Sequence, residues 1–181
     1  MMKFSHIVIV FITFFASAGM AVSQTSSGTQ EYGDGGAYEG EFLNGLPHGN
    51  GTYELPNGYR YVGEWFEGEI NGQGEALFPN GSVYIGSFVK GKPEGSGKIT
   101  FTDGGTYEGE WANGSITGEG YAKYANGTTY QGTFLDAMHD GKGIMKSPDG
   151  YIYDGTWENG VKQGKATVTY PDGSIYTGEV S

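Results

Sequence analysis

From Tyr38 onward, apolar and polar positions alternate with a period of two, in short runs broken by glycine. A run such as Tyr38-Glu39-Gly40-Glu41-Phe42 puts the two rings and the glycine on one face of a strand. Glu39 and Glu41, like Glu108 and Glu110, then point to water on the other face. A second run follows each Gly-x-Gly step (Gly49/Gly51, Gly72/Gly74, Gly95/Gly97, Gly118/Gly120, Gly141/Gly143). It carries apolar residues at alternate positions: Tyr53 and Leu55, Ala76 and Phe78, Ile99 and Phe101, Ala122 and Tyr124, Val168 and Tyr170. Asn-Gly or Asp-Gly pairs, from Asn57-Gly58 to Asp172-Gly173, separate these units. Both residues of such a pair tolerate positive φ, so they predict tight hairpin turns. Gly45, Gly68, Gly91, Gly114 and Gly160 mark the other turn of each unit. With no helical periodicity after residue 23, the pattern predicts an all-β antiparallel meander of about 13 strands.

The pattern repeats in strict register. Tyrosine stands at 38, 61, 84, 107, 130, 153 and 176, always 23 residues apart, with glycine two positions after each. Four residues after the first six tyrosines comes a second aromatic, alternating Phe42, Trp65, Phe88, Trp111, Phe134 and Trp157; the seventh copy has Val180 there. A fixed period of this length marks a repeat architecture rather than a single packed core.

The segment from Tyr38 to Gly51 reads Tyr-Glu-Gly-Glu-Phe-Leu-Asn-Gly-Leu-Pro-His-Gly-Asn-Gly. It resembles the MORN repeat, and the resemblance covers about residues 32–180, with Tyr32 to Gly35 as the end of a degenerate leading copy. The resemblance implies a single-layer, elongated and curled sheet in which the aromatics lie over neighbouring glycines. It also implies a trough lined by partly exposed rings, in which the tyrosine and tryptophan ladders are first of all core and binding uses whatever edge stays exposed. The candidate binding surface is that aromatic face: Tyr38 and Phe42, Tyr61 and Trp65, Tyr84 and Phe88, Tyr107 and Trp111, Tyr130 and Phe134, Tyr153 and Trp157, with Tyr176 closing the array. Two copies depart from the pattern and are expected to be looser. Ala137 replaces the turn glycine of the fifth, and Ala166 replaces a glycine of the Gly-x-Gly step in the sixth.

Composition narrows the functional classes. Glycine supplies 35 of 181 residues, and cysteine is absent, which excludes disulfide staples, a thiol nucleophile and thiolate metal sites. The formal charge is −11, and loss of Lys3 with an export segment would make it −12. So acidic a chain repels phosphate backbones, which argues against nucleic acid.

The first 23 residues read differently. Lys3 precedes an apolar stretch from Ile7 to Phe15, followed by the small residues Ala16, Ser17, Ala18, Gly19, Ala21 and Ser23. This is the layout of a secretory signal peptide over residues 1–23, with cleavage between 18 and 24. Residues 24–31, polar and Ser/Thr-rich, are expected to form a disordered leader before the array at 32–181.

No catalytic constellation is visible. Beyond the export segment only His48 and His139 remain, at different repeat positions, so neither a triad nor a metal-ligand cluster is expected, and no cofactor is called for. The sequon-like Asn50, Asn80, Asn113 and Asn126 follow from turn chemistry. The reading is an exported, periplasmic or secreted non-enzymatic scaffold that binds a protein partner or self-associates. The closing strand, with one Glu and no Lys or Pro, leaves an edge open to pairing with a second chain. A polysaccharide or cell-wall ligand, stacking on the rings, is the alternative from another class. Association with membrane lipid ranks behind both, because Lys90, Lys92, Lys142, Lys162 and Lys165 form no dense basic cluster.

Overall fold

The computed structural model describes residues 24–181. The signal peptide expected over residues 1–23 lies outside them. Fourteen strands follow one another along the chain: β1 (Thr25–Glu31), β2 (Ala37–Leu43), β3 (Leu46–Glu54), β4 (Arg60–Phe66), β5 (Glu69–Leu77), β6 (Val83–Val89) and β7 (Lys92–Thr100). The second half comprises β8 (Thr106–Ala112), β9 (Ser115–Lys123), β10 (Thr129–Leu135), β11 (Met138–Lys146), β12 (Ile152–Glu158), β13 (Val161–Thr169) and β14 (Ile175–Val180). Each pairs only with its neighbours in sequence, all antiparallel, so the sheet is one open meander. At ~4.8 Å per strand, edge to edge is roughly 60 Å.

The expected disordered leader is corrected here. Residues 25–31 form β1, which pairs with β2 over its whole length, Gly28 facing Gly40. The reason is register: Gly28 stands 23 residues before Gly51, so the segment is the second strand of the degenerate leading copy. Composition suggested disorder, but an open edge of β2 gives these polar residues a ladder to complete.

A stripe of glycine crosses the sheet at right angles to the strands. Gly40 faces Gly51, Gly51 faces Gly63, Gly63 faces Gly74, and the series runs on to Gly178. Only β13 breaks it, with Ala166. The tyrosine rings lie over this stripe. A β-carbon on Gly74 would stand 2.5 Å from the Tyr61 ring, and one on Gly63 would stand 2.5 Å from the Gly74 Cα. Real β-carbons do not approach so closely, so side chains are excluded there by both the ring and the facing backbone.

The two kinds of turn differ from expectation. The tight two-residue turns with positive φ at both positions are Asn44-Gly45, Glu67-Gly68, Lys90-Gly91, Asn113-Gly114, Asp136-Ala137 and Asn159-Gly160. In the Asn57-Gly58 class only the glycine has positive φ. There Leu55 N–H donates to the Tyr59 carbonyl and Gly58 N–H to that of Leu55, a three-residue loop closed by a glycine bulge. The Asn or Asp is chosen for its side chain: Asn57 Oδ1 accepts the Tyr59 N–H at 2.9 Å, and Asp103 Oδ1 accepts that of Gly105 at 2.8 Å.

Ala137, expected to loosen its copy, takes φ +62° and keeps the bond that joins successive hairpins, N–H to the Ile116 carbonyl at 2.9 Å. Gly114 N–H makes the equivalent bond to Pro93 at 2.9 Å. Ala166 is likewise accommodated and buried beside Tyr153.

Candidate functional site

The aromatic face is built from two ring positions per hairpin. Within each copy the tyrosine meets the second aromatic edge to face, as in Tyr84–Phe88 with centroids 5.0 Å apart and Tyr107–Trp111 at 5.7 Å. Each tyrosine also meets the aromatic of the next copy: Tyr38–Trp65 at 4.8 Å, Tyr61–Phe88 at 5.0 Å, Tyr84–Trp111 at 4.9 Å, Tyr107–Phe134 at 5.0 Å and Tyr130–Trp157 at 5.5 Å. The result is an unbroken zigzag of rings from Phe42 to Tyr153. Such edge-to-face pairs contribute roughly 0.5–1.5 kcal/mol each beyond burial.

The tyrosine hydroxyls have a second task. Between Gly40 and Phe42 the register with β3 shifts, so Glu41 stands opposite a bulge. Tyr38 Oη donates to the Glu41 carbonyl oxygen at 2.7 Å from one face. From the other face, the Glu41 carboxylate accepts the Asn50 N–H at 3.0 Å. The same pair of bonds recurs in the next copy, where Tyr61 Oη donates to the Glu64 carbonyl at 3.0 Å and the Glu64 carboxylate accepts the Gln73 N–H at 2.8 Å. Both polar groups displaced by the bulge are thereby satisfied. Burial pushes the phenols of Tyr38, Tyr84 and Tyr107 up to about 12, and those of Tyr61 and Tyr130 higher still.

The ladder is core, as expected of its tyrosines and tryptophans, and the expectation that its rings also line a partly exposed trough is corrected. Tyr38, Tyr61, Tyr84, Tyr107, Tyr130 and Tyr153 are at most 1 % exposed. Trp65, Phe88, Trp111, Phe134 and Trp157 are also buried. From Tyr38 to Tyr130 each tyrosine lies against the glycines and is met by the second aromatic of the next copy, so the ladder is a core. Phe42 is half-buried, lacking a preceding tyrosine among the described residues, and Tyr176, on a strand with one neighbour, is 42 % exposed.

Phe66 and Tyr121 are exposed singly, and a row of accessible rings follows the edge formed by the three-residue loops, on the same face as the ladder. Each loop is flanked by two slots, the residue before it and the residue after it. In five loops the first slot is aromatic: Tyr32, Phe78, Phe101, Tyr124 and Tyr170. In the two where it is Leu55 or Ser147, the second slot is Tyr59 or Tyr151. Every loop therefore presents a ring. Phe101, Tyr124 and Tyr170 are exposed and the others half-buried. Tyr59 and Phe78 are 6.1 Å apart, Tyr151 and Tyr170 6.2 Å, so adjacent loops share contacts. The signal was present in sequence, since Tyr32, Phe78, Phe101, Tyr124 and Tyr170 fall on the 23-residue lattice.

His48 and His139 sit four hairpins apart in the meander. The His139 imidazole stacks on Tyr130 with centroids 3.6 Å apart, and its Nε2 hydrogen-bonds the Tyr124 hydroxyl at 2.6 Å. Burial lowers its pKa to about 4. Among the described residues no three His, Asp or Glu side chains gather as metal ligands, and no helix is long and apolar enough to cross a membrane.

The MORN-repeat family model matches six consecutive segments of this chain, at 38–58, 61–83, 84–106, 107–129, 130–150 and 153–175. The chain belongs to the MORN-repeat family. The MORN segments coincide with the hairpins from β2 to β13 and leave out β1 and all but the first residue of β14. Among solved structures, the MORN array is similar in fold to the TCP domain of SAS-4 (dCPAP) from Drosophila melanogaster, solved in complex with a proline-rich motif of Ana2 (dSTIL). The TM-score is 0.51 at 10% identity, over 92% of this chain and 97% of that one. The TCP10 domain of Danio rerio CPAP aligns with TM-score 0.33 and 16% identity, over 86% of this chain and 87% of that one. At these identities the likeness is one of fold alone. No curated protein matches the chain.

Proposed function

We propose that this MORN array is an exported, non-enzymatic scaffold that holds a protein partner along its loop edge. The observation that carries the reading is the ring presented at every three-residue loop, with Phe101, Tyr124 and Tyr170 left exposed. Large apolar groups repeated along one edge of an open sheet usually mark an interaction surface. The Drosophila TCP domain, similar in fold, was solved with a peptide motif bound, and a single-layer sheet has long surfaces to offer an extended segment. Export rests on the order of Lys3, the apolar Ile7–Phe15 stretch and the small residues after it. A chain matched by MORN repeats over residues 38–175 supports a binding role over catalysis.

Site-specific photo-crosslinking tests the reading in the source cell. A photoreactive residue in place of Phe101 is expected to trap a protein, and one in place of Ile85, exposed on the opposite face, to trap none. Equal yields at both positions refute the loop edge as the contact surface, and capture of cell-wall polysaccharide instead supports a carbohydrate binder. A fusion of residues 1–30 to a reporter tests export: it should leave the cytoplasm and be cut between residues 18 and 24.

A further inference from the structure

We infer that the segment held by the loop edge is a polyproline II helix carrying lysine or arginine, running across the strands with one helical turn per repeat. This deepens the protein-binding reading and rests on it. The first argument is metrical. Successive loops on this edge are two strands apart, roughly 9.6 Å at ~4.8 Å per strand. A polyproline II helix advances ~3.1 Å per residue with three residues per turn, roughly 9.3 Å. One side of such a helix therefore returns at nearly the period with which Phe78, Phe101 and Tyr124 recur. An extended strand, at roughly 6.8 Å per two residues, does not keep step.

The second argument is chemical. Polyproline II segments have no internal hydrogen bonds, so their carbonyls seek donors, and aromatic-lined surfaces are their usual docks. The edge offers rings throughout, and Tyr59, Tyr151 and Tyr170 add phenolic O–H donors beside them. The third is charge. Asp34, Asp103, Asp149 and Asp172 occupy the loops, all exposed, each with Oδ1 already accepting a backbone N–H. No Lys or Arg stands in any of the seven loops or their flanking slots. Lys162 reaches this edge from β13, its Nζ 4.5 Å from the Tyr151 ring, but the loops themselves contribute carboxylates and no cations, which selects basic residues between the prolines and disfavours acidic ones.

The test titrates the full chain with three synthetic peptides, (Pro-Pro-Lys)5, (Pro-Pro-Glu)5 and (Gly-Ser-Lys)5, by calorimetry at moderate salt. The first should bind at least ten-fold more tightly than either control. The double variant Phe101→Ala/Tyr124→Ala should weaken it at least ten-fold. The pair Asp103→Asn/Asp149→Asn retains the side-chain acceptor that Asn57, Asn80 and Asn126 supply in other loops. It should weaken (Pro-Pro-Lys)5 several-fold while its melting temperature stays that of the parent. Equal binding of (Gly-Ser-Lys)5 overturns the inference, reducing it to charge attraction. So does binding that survives both double variants. A displayed peptide library separates the two readings. Enrichment of proline-free ligands that need Phe101 and Tyr124 sinks the polyproline II inference and leaves the protein-binding edge standing. A library that yields no ligand dependent on those rings sinks both.

Discussion

Tyr107 and Gly120 meet so closely that a β-carbon on the glycine would stand 2.6 Å from Tyr107 Oη and 2.7 Å from its Cζ. The ring cannot retreat, because its hydroxyl is held by the Glu110 carbonyl at 3.0 Å and its other side by Phe134. Gly120→Ala should therefore destabilise the array by about 3 kcal/mol, at the upper end of ordinary overpacking. Gly33→Ala, with open space around the new methyl, should be close to neutral. Urea denaturation of both variants measures the difference, and equal midpoints would show that the rings do not depend on the glycine stripe.

The two classes of ring should separate under truncation. Trp111, buried in the middle of the ladder, should cost about 3–5 kcal/mol when cut to Ala. Phe101, 38 % exposed at the loop edge, should cost about 1 kcal/mol, since only part of its surface leaves water. Chemical denaturation monitored by circular dichroism compares them. A Phe101→Ala loss matching that of Trp111→Ala would return Phe101 to the core and remove it from the contact surface.

His139 should make stability depend on pH in one direction. Its folded pKa is lowered by burial from 6.5 to about 4, so between those values the unfolded chain binds the extra proton. The contribution is complete above about pH 6.5 and is lost as pH falls through 4. The equivalent position is Ile70 or Ile116 in other copies, so His139→Ile supplies a non-titrating replacement with precedent in this chain. Thermal melts at pH 7.5 and 4.5 should show a smaller drop for the variant than for the parent. Parallel drops in both proteins would assign the pH dependence to other groups.

At the second position of the tight turns, where Gly45, Gly68, Gly91, Gly114 and Gly160 stand in the others, Ala137 takes the left-handed conformation with a β-carbon, at φ +62°. Left-handed backbone costs an L-residue roughly 1–2 kcal/mol, against about 0.5–1 kcal/mol for the extra freedom glycine loses on folding. Ala137→Gly should thus stabilise by about 0.5–1 kcal/mol, seen as a raised urea midpoint with unchanged slope. A lowered midpoint would mean that the methyl group makes a contact worth more than the strain.

The repeat was legible because its chemistry is local. Tyr-x-Gly-x-Phe/Trp on a 23-residue lattice dictates strands, their inward face and their order, since alternation and turn residues need no knowledge of the rest of the chain. Gly28 carries the same register into the segment whose polar composition suggests a leader, but its neighbours Ser26, Ser27 and Thr29 have no apolar face to mark a strand. Whether a given ring is core or surface was a different kind of question. Tyr84 and Phe101 are both aromatic, both on the lattice and both on the same side of the sheet. Only the tertiary arrangement sets Tyr84 under Trp111 at 4.9 Å while leaving Phe101 across its loop from Gly105, which has no side chain to cover it. Burial belongs to what the neighbouring hairpin lays on top, and alternation within one strand has no information about that neighbour's depth. The role of Asn57 was decided in the same way: sequence allowed positive φ, but the loop's hydrogen bonds used the side chain, because Gly58 alone takes the left-handed turn.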